Sequence, residues 1–369
     1  MDAGSGVCGQ AAFAGRGPGG AVIARREPAV KNQEIALWRQ TTKQDRNLAI
    51  WREELDAFVP ARVLDFHTHV FPAASLPAGQ TFPCGGHPLR EYEFADLRED
   101  LEEVYPGRRT FAVCFGLPFA EYDRAENNRY VAAGCDGKTL FALRLVDPAE
   151  DPAAVRRDVI EHGFLGFKPY PNYVRKADPN LIEIRDMLPP AIMRTADELG
   201  LIVVLHLPRA GRLADPVNQS QLVELCTAWP RAKIILAHIG RAYYLRNIIG
   251  NLERLRDLPN LYFDLAMLNH WEVMEYLFRT VPHDRILYGT DIPIALAPGK
   301  SVEINHQYTY VTPVPWDLSI CDDRGKLVFT SFLYEELRAI RQAVERLALP
   351  RKFVEDLFYN NGMALLARS

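Results

Sequence analysis

The fold of this chain is decided by residues 63–69, which have the sequence VLDFHTH. The apolar start is typical of a buried strand, and the Phe71-Pro72 pair that follows is typical of a turn. Alternate side chains of a strand point to the same side, so His67 and His69 can face one centre. Two imidazoles at a strand end are suitable metal ligands, although two ordinary surface histidines would give the same pattern.

The composition is that of an ordinary globular protein. The chain has 369 residues, a formal net charge of -4, 48% hydrophobic residues and 24% charged residues. This balance argues against a nucleic-acid partner. No apolar run of about 18 residues predicts a membrane-spanning helix, and residues 1–20 lack the apolar core of a signal peptide. The six cysteines have no close pairs, so we expect neither disulfides nor a cysteine zinc site. A cytoplasmic location is the expectation that follows.

The chain divides into two parts of different character. Residues 1–60 are expected to form a disordered, glycine-rich start and a helix at 32–58. Residues 61–369 are expected to form one large domain, with a proline-rich insertion at about 292–330 that is compatible with a small hairpin. The aromatic residues of the insertion are Tyr308, Tyr310 and Trp316. They would form either a lid or the small core of the insertion. At the other end of the chain, the N-terminal helix is compatible with a homo-oligomer.

Short apolar runs alternate with helical patterns along the second part. The predicted strands are 63–69, 110–116, 140–146, 163–168, 201–206, 233–238, 261–264 and 285–289. The predicted helices are 93–104, 121–133, 152–162, 191–199, 218–229, 243–255, 270–279, 331–348 and 351–366. This α/β alternation predicts a (β/α)8 TIM barrel with an N-terminal helical extension and an insertion after strand 8. The alternative is an open doubly wound sheet, which would normally carry a glycine-rich turn after its first strand.

Side chains that can bind a metal or move a proton end five of the predicted strands. They are His67, His69, Lys168, His206, His238 and Asp291. Because the carboxyl ends of barrel strands surround one mouth, these six side chains should converge there. A single histidine in such a position is often structural, but six polar residues at five strand ends indicate an active site.

Further polar residues fall near the predicted mouth. They are Arg144, Tyr170, Arg209 and Arg241. Arginine is well suited to bind planar carboxylates, so this group predicts a small substrate that carries a carboxylate. Taken singly, each of these residues could equally be a solvated loop residue or part of a structural ion pair.

Several motifs at these strand ends resemble a known family. They are HTH at 67–69, GFKPYP at 166–171, LH at 205–206, LAHIG at 236–240, LYGTD at 287–291 and LFYNNGMALL at 357–366. The set is similar to that of the amidohydrolase superfamily. It most resembles the amidohydrolase-related branch, which contains aminocarboxymuconate-semialdehyde decarboxylase-like enzymes and lactonases. The resemblance covers residues 63–366 and implies a metal-dependent TIM-barrel enzyme.

The resemblance also implies roles for particular residues. One divalent metal, zinc or alternatively manganese, would be held by His67, His69, His206 and Asp291. Asp291 would also be the general base, and His238 would hydrogen-bond the water or polarise the substrate oxygen. Lys168 would be unmodified and would bind a substrate anion or pair with a nearby carboxylate. In binuclear relatives a carboxylated lysine bridges two metals, so a second metal at a carboxylated Lys168 is the alternative.

The expected function is therefore that of a metal-dependent hydrolase. It would use metal-activated water on a lactone, ester or amide of a small anionic substrate. A non-oxidative decarboxylase of an aromatic or unsaturated carboxylic acid is the alternative. Lys168 favours the hydrolase, because decarboxylases of the branch generally lack this lysine. A sugar-acid isomerase and a catalytically silent metal-binding protein are further alternatives, but a silent protein would need neither Asp291 nor His238.

Overall fold

The computed structural model describes residues 45–367. Its strands are β1 (Arg62–His69), β2 (Phe82–Cys84), β3 (His87–Leu89), β4 (Arg109–Phe115), β5 (Leu140–Ala142), β6 (Arg144–Val146), β7 (Gly166–Pro169), β8 (Ile202–Leu205), β9 (Lys233–Leu236), β10 (Leu261–Asp264), β11 (Ile286–Leu287), β12 (Lys300–Ile304), β13 (Gln307–Thr312) and β14 (Ser319–Cys321). The expectations for residues 1–44, including the disordered start and the first part of the N-terminal helix, lie outside the described residues.

The α-helices alternate with the parallel strands, as predicted. They are Asp45–Ile50, Phe94–Val104, Arg124–Gly134, Pro152–His162, Ile184–Met187, Pro190–Leu199, Pro216–Ala228, Leu245–Ile248, Trp271–Thr280, Phe332–Arg346, Arg351–Glu355 and Asn361–Leu366, while His238–Arg241 form a left-handed turn. Two π-helical turns, Trp51–Leu55 and Asp356–Asn360, continue neighbouring helices. None of the helices in the described part of the chain has the length and apolarity needed to cross a bilayer.

Strands β1 and β4–β11 form two parallel sheets that are linked at both ends. One sheet has the order β1-β4-β5 and the other has the order β11-β10-β9-β8-β7-β6. The third predicted strand is divided into β5 and β6 by Leu143, whose N–H donates to the Cys114 carbonyl at 3.0 Å. At the other end, the Phe66 N–H donates to the Tyr288 carbonyl at 2.9 Å. The predicted α/β class with parallel strands is confirmed, and β1 is hydrogen-bonded to the residue that follows β11.

Both faces of these strands are buried, which explains their nearly continuous apolar sequences. One face forms a cluster that includes Phe66, Val113, Leu143, Val204 and Ile235. The opposite face packs against the helices in a larger cluster. The polar strand ends described below extend from the first of these two faces.

A β-bulge lies near the end of β1. Asp65 is paired with Ala112, but Thr68 is paired with Cys114, so β1 contains one residue more than β4 at this point. A bulge of this kind re-aims the side chains that follow it. The buried Asp65 carboxylate stabilises the bulge, since it accepts a hydrogen bond from the His67 N–H at 3.0 Å.

One predicted helix is wrong. Residues 243–255 do not form a single helix, but contain the short helix Leu245–Ile248 followed by turns. The preceding residues His238, Ile239 and Gly240 have φ values of 55°, 51° and 65°, which a right-handed helix cannot contain. The short helix ends because Ile249 is extended and Gly250 follows with a φ of 74°, so a right-handed helix cannot continue to residue 255.

The predicted insertion contains more structure than a hairpin. Strands β12 and β13 form an antiparallel hairpin, and β14 pairs with β13 in parallel. Tyr310 is stacked on Trp316 with a centroid distance of 5.3 Å and contacts Phe332, so these aromatic residues form a small core rather than a lid. A second hairpin, β2–β3, was not predicted within the long loop after β1.

Candidate metal centre

The two histidines of β1 present the same ring nitrogen to one space. The His67 Nδ1 lies 2.9 Å from the Asp264 Oδ2, and the His69 Nδ1 donates to the Gly116 carbonyl at 2.7 Å. These second partners fix the ring orientations, as is usual for metal-binding histidines. Both Nε2 atoms therefore face one centre, which the Lys168 Nζ also approaches, at 3.1 Å from the His67 Nε2.

Asp291 completes a compact group with these histidines. Its Oδ1 lies 3.0 Å from the His69 Nε2 and 3.4 Å from the His67 Nε2. Burial alone would raise the pKa of Asp291, but His67 and His69 lower it below its ordinary value. A carboxylate thus faces an imidazole whose Nδ1 already donates elsewhere. Two such acceptor atoms require a proton or a cation between them, and the donor set of His67, His69 and Asp291 fits a divalent metal.

Asp264 is a central residue that the sequence analysis did not identify. It is fully buried at the end of β10, and its Oδ1 accepts hydrogen bonds from the N–H groups of His238 and Ala266. Together with His67 and His238 it forms a second group whose potential ligand atoms lie within 4.8 Å of one another. The signal in the sequence was a carboxylate directly after the apolar residues of the seventh predicted strand.

His238, a member of this second group, has a strained backbone conformation. Its φ of 55° is in the left-handed region, as are those of Ile239 and Arg241. Such conformations are concentrated at functional sites. The His238 Nδ1 donates to the Ala266 carbonyl at 2.9 Å, and burial lowers the pKa of the ring. His238 is therefore neutral and directs an Nε2 acceptor into the site.

His206 lies near the two groups but belongs to neither of them. Its ring centroid is 5.5 Å from that of His238 and 5.9 Å from that of Tyr170. Its Nδ1 is buried and has no hydrogen-bond partner among the described residues. Burial lowers the pKa of His206 well below its ordinary value, so the ring is neutral. An unsatisfied buried nitrogen is costly, and it fits a site that receives an additional ligand.

Lys168 lies on β7 and is completely buried. Its Nζ is 3.1 Å from the His67 Nε2, and it lies over the Phe115 and Tyr170 rings at 4.5 and 5.2 Å from their centroids. Burial lowers the pKa of Lys168 to about 7. Within the described part of the chain no carboxylate forms an ion pair with this lysine, so the pairing that was one of its two predicted roles is not present.

The structure gives different surroundings to the predicted substrate-binding residues. Tyr170 is buried next to His206, inside the site. Arg144 was expected to bind substrate, but its guanidinium pairs with Glu150 at 2.9 Å and with Asp158. Alternation along β6 explains the difference. Leu143 and the residue after Arg144 occupy the face that leads to the site, which turns Arg144 toward the surrounding helices.

The other two arginines also differ from each other. Arg209 donates through Nε to Asp215 at 3.0 Å, and Asp215 caps the next helix, so Arg209 is part of a loop ion pair. Arg241 donates to the Leu207 carbonyl at 3.0 Å, and its charge contributes to the lowered pKa of His206. Only the second of these guanidinium groups is thus close to the candidate centre.

Residues 64–367 match the family model described as amidohydrolase. No curated protein matches the chain. Solved structures with a similar fold include an amidohydrolase 2 from Bifidobacterium longum subsp. infantis, with a TM-score of 0.52, 16% identity and coverage of 84% of this chain and 99% of that chain. A zinc-bound amidohydrolase from Burkholderia multivorans has a TM-score of 0.52, 15% identity and coverages of 83% and 99%. A 4-oxalomesaconate hydratase from Rhodopseudomonas palustris has a TM-score of 0.51, 17% identity and coverages of 83% and 96%.

Proposed function

Since this chain belongs to the amidohydrolase family, we propose that it is a metal-dependent hydrolase of a small anionic substrate. The reaction is the attack of activated water on a lactone, ester or amide. The observation that carries this proposal is the convergence of the His67, His69 and Asp291 ligand atoms within 4.8 Å of one another. We further infer that β1 and β4–β11 form a (β/α)8 barrel, whose mouth holds these residues.

One divalent metal would be held by His67, His69, His206 and Asp291. Two observations support this set. The His69 Nε2 and the Asp291 Oδ1 lie 3.0 Å apart, and the buried His206 Nδ1 has no hydrogen-bond partner among the described residues. Imidazole and carboxylate ligands suit Zn²⁺, and also Mn²⁺. When bound, such a metal lowers the pKa of water toward neutrality and polarises a substrate carbonyl.

Asp291 and His238 have different roles toward the attacking water. Asp291 keeps its charge in the folded chain, and its Oδ1 faces the two histidines of β1. The carboxylate accepts a proton from the water and passes it to the leaving group. His238 uses its Nδ1–H on the Ala266 carbonyl, so its neutral ring can only accept a hydrogen bond at Nε2. It therefore orients the water instead of polarising the substrate oxygen.

Lys168 binds the anionic group of the substrate. Its amino group is buried beside His67, and Asp264 and Asp291 act on it only from beyond ion-pair distance, so a substrate carboxylate would pair with it directly. Arg241 adds a second positive charge near His206. The substrate is accordingly a small molecule with a carboxylate near the bond that is cleaved.

The metal content of the purified protein tests the centre. We expect about one equivalent of metal per chain by elemental analysis, and its loss in His67→Ala, because that ring supplies one of a small number of ligands. His162→Ala is the control, since His162 is exposed and pairs with Asp158 on a helix. Two equivalents would indicate a carboxylated Lys168 and overturn the single-metal proposal. No metal, and none taken up on titration, would overturn the metal mechanism itself.

A panel of lactones, esters and aromatic acids tests the reaction. Hydrolysis releases an acid or alcohol and consumes water, and it should occur with lactones or esters that carry a carboxylate. Release of carbon dioxide from an aromatic acid without consumption of water would instead identify a decarboxylase and overturn the proposed reaction, while leaving the metal site unaffected.

Asp264→Asn tests whether the Asp264 carboxylate holds the His67 ring in place for metal binding. We expect the affinity for the metal to fall by about tenfold to a hundredfold, because the second partner of a ligating histidine fixes its orientation and raises its basicity. Competition with a coloured chelator would measure the change. Asp100→Asn is the matched control, since Asp100 is also buried but bonds to the Tyr92 hydroxyl. An unchanged affinity in Asp264→Asn would show that His67 does not depend on this carboxylate.

A further inference from the structure

The end of β1 runs beside the segment that follows β11, and both carry candidate metal ligands. The Asp291 N–H donates to the His67 carbonyl at 2.8 Å, and the His69 N–H donates to the Ile292 carbonyl at 2.8 Å. Gly289 permits this close approach, because an added Cβ would lie 3.0 Å from the Cβ of His67. The spacing of the two backbones therefore helps to set the distance from His67 and His69 to Asp291.

A buried carboxylate and a buried hydroxyl join the two segments next to the bulge in β1. The N–H groups of His67 and Thr290 both donate to Oδ1 of Asp65, at 3.0 and 2.9 Å. The Thr290 hydroxyl donates to Oδ2 of the same carboxylate and accepts a hydrogen bond from the Ile292 N–H at 3.0 Å. Asp65 and Thr290 are both completely buried. Two of these four hydrogen bonds cross from one segment to the other.

We propose that Asp65 and Thr290 are positioning residues, which hold Asp291 at the separation from the two β1 histidines that a bound metal requires. The inference rests on the proposed function, because it concerns the centre that would hold the metal. An unsatisfied polar group is costly where water cannot reach it, so loss of the Thr290 hydroxyl would make the two segments shift. A small shift is sufficient, since ligand atoms must lie within about 0.2 Å of their preferred distances.

The binding of Co²⁺ to Thr290 variants tests this proposal. Thr290→Val nearly keeps the shape of the side chain but removes its hydroxyl, and it should lower the affinity for Co²⁺ by about tenfold. The visible absorption of bound Co²⁺ depends on the geometry of its ligands, so it should change as well. Thr290→Ser retains the hydroxyl and should keep both properties of the wild-type protein. Competition with a chelator and absorption spectra of the loaded protein give the two readouts.

Two further variants separate positioning from a general loss of stability. Thr312→Val is the matched control, since Thr312 is also completely buried and its hydroxyl bonds to Val314 and Ser319 within the insertion. It should change neither the affinity nor the spectrum. Asp65→Asn should lower the affinity, because the amide nitrogen in place of Oδ2 cannot accept the Thr290 hydroxyl. Adding Thr290→Val to Asp65→Asn should then cause no further loss.

The outcomes distinguish this proposal from the proposed function. If the wild-type protein binds Co²⁺ and Thr290→Val has the same affinity and spectrum, the positioning role is overturned and the metal centre remains. The same conclusion holds if Thr290→Val only unfolds at a lower urea concentration, which would be a purely structural effect. A wild-type protein that binds no Co²⁺ overturns both proposals. Should Thr290→Val fail to fold, Asp65→Asn decides by the same two readouts.

Discussion

Replacing Asp291 by asparagine is expected to lower kcat for the hydrolysed substrate by about a thousandfold, the range for loss of a general base. An amide cannot accept the proton of the attacking water, although it has nearly the shape of the carboxylate. The substitution also removes the negative charge that lies 3.0 Å from the His69 Nε2. Initial rates at saturating substrate, together with the metal content of the variant, would measure both effects.

Glu336→Gln is the matched control for this experiment. Glu336 is also a fully buried acid, and its Oε2 accepts a hydrogen bond from the Met267 N–H at 2.9 Å. Burial raises the pKa of Glu336 well above its ordinary value, whereas the pKa of Asp291 is lowered, so glutamine at 336 removes less charge than asparagine at 291. We expect its kcat to change by less than about threefold. A similarly small change in Asp291→Asn would rule out Asp291 as the base.

Much of the candidate centre could be predicted because the parallel strands end close to the ends of their apolar sequences. The positions of Lys168, His206 and Asp291 were predicted from this local pattern alone. In the structure Lys168 lies in β7, His206 directly follows β8, and Asp291 lies four residues after β11. Tyr170 was found in the same way. Burial on both faces makes the strands long apolar runs that are easily distinguished from the helices between them.

The face of β1 from which His67 and His69 extend could not be predicted from the alternation of side chains along a strand. Leu64 and Phe66 belong to the cluster that also contains Val113, here called the inner cluster. Strict alternation would therefore turn His67 and His69 to the opposite face. The observed rings lie 5.1 and 4.8 Å from that of Phe115, a member of the same inner cluster. The bulge reverses the alternation, and the Asp65 side chain stabilises it by accepting a hydrogen bond from the His67 N–H.

Contacts between distant residues account for the other differences. Arg144 had the correct chemistry for a carboxylate, but acids on the following turn and helix were close enough to neutralise it. Asp264 ends its strand like Asp291, yet its role depends on His67, which is almost two hundred residues earlier. The stack of Tyr243 on Tyr308 likewise joins segments that share no sequence pattern.

Gly166→Ala is expected to lower the free energy of unfolding by about 3 kcal/mol, at the upper end of the cost of overfilling a packed core. A Cβ at this position would collide with the Ile202 carbonyl oxygen on the neighbouring strand β8. Backbone atoms of paired strands cannot move aside as a flexible side chain can, so β7 and β8 would have to separate. Equilibrium denaturation with urea would measure the loss.

Gly163→Ala is the control that distinguishes this collision from backbone strain. Gly163 has a φ of 68° and nothing within 4 Å of an added Cβ, so alanine there should cost only about 1 kcal/mol. An equal loss in both variants would contradict the close approach of β7 and β8. Lys168 is two residues after Gly166, and His206 directly follows β8. Any Gly166→Ala protein that still folds should therefore also bind metal and substrate less tightly, whereas Gly163→Ala should bind them normally.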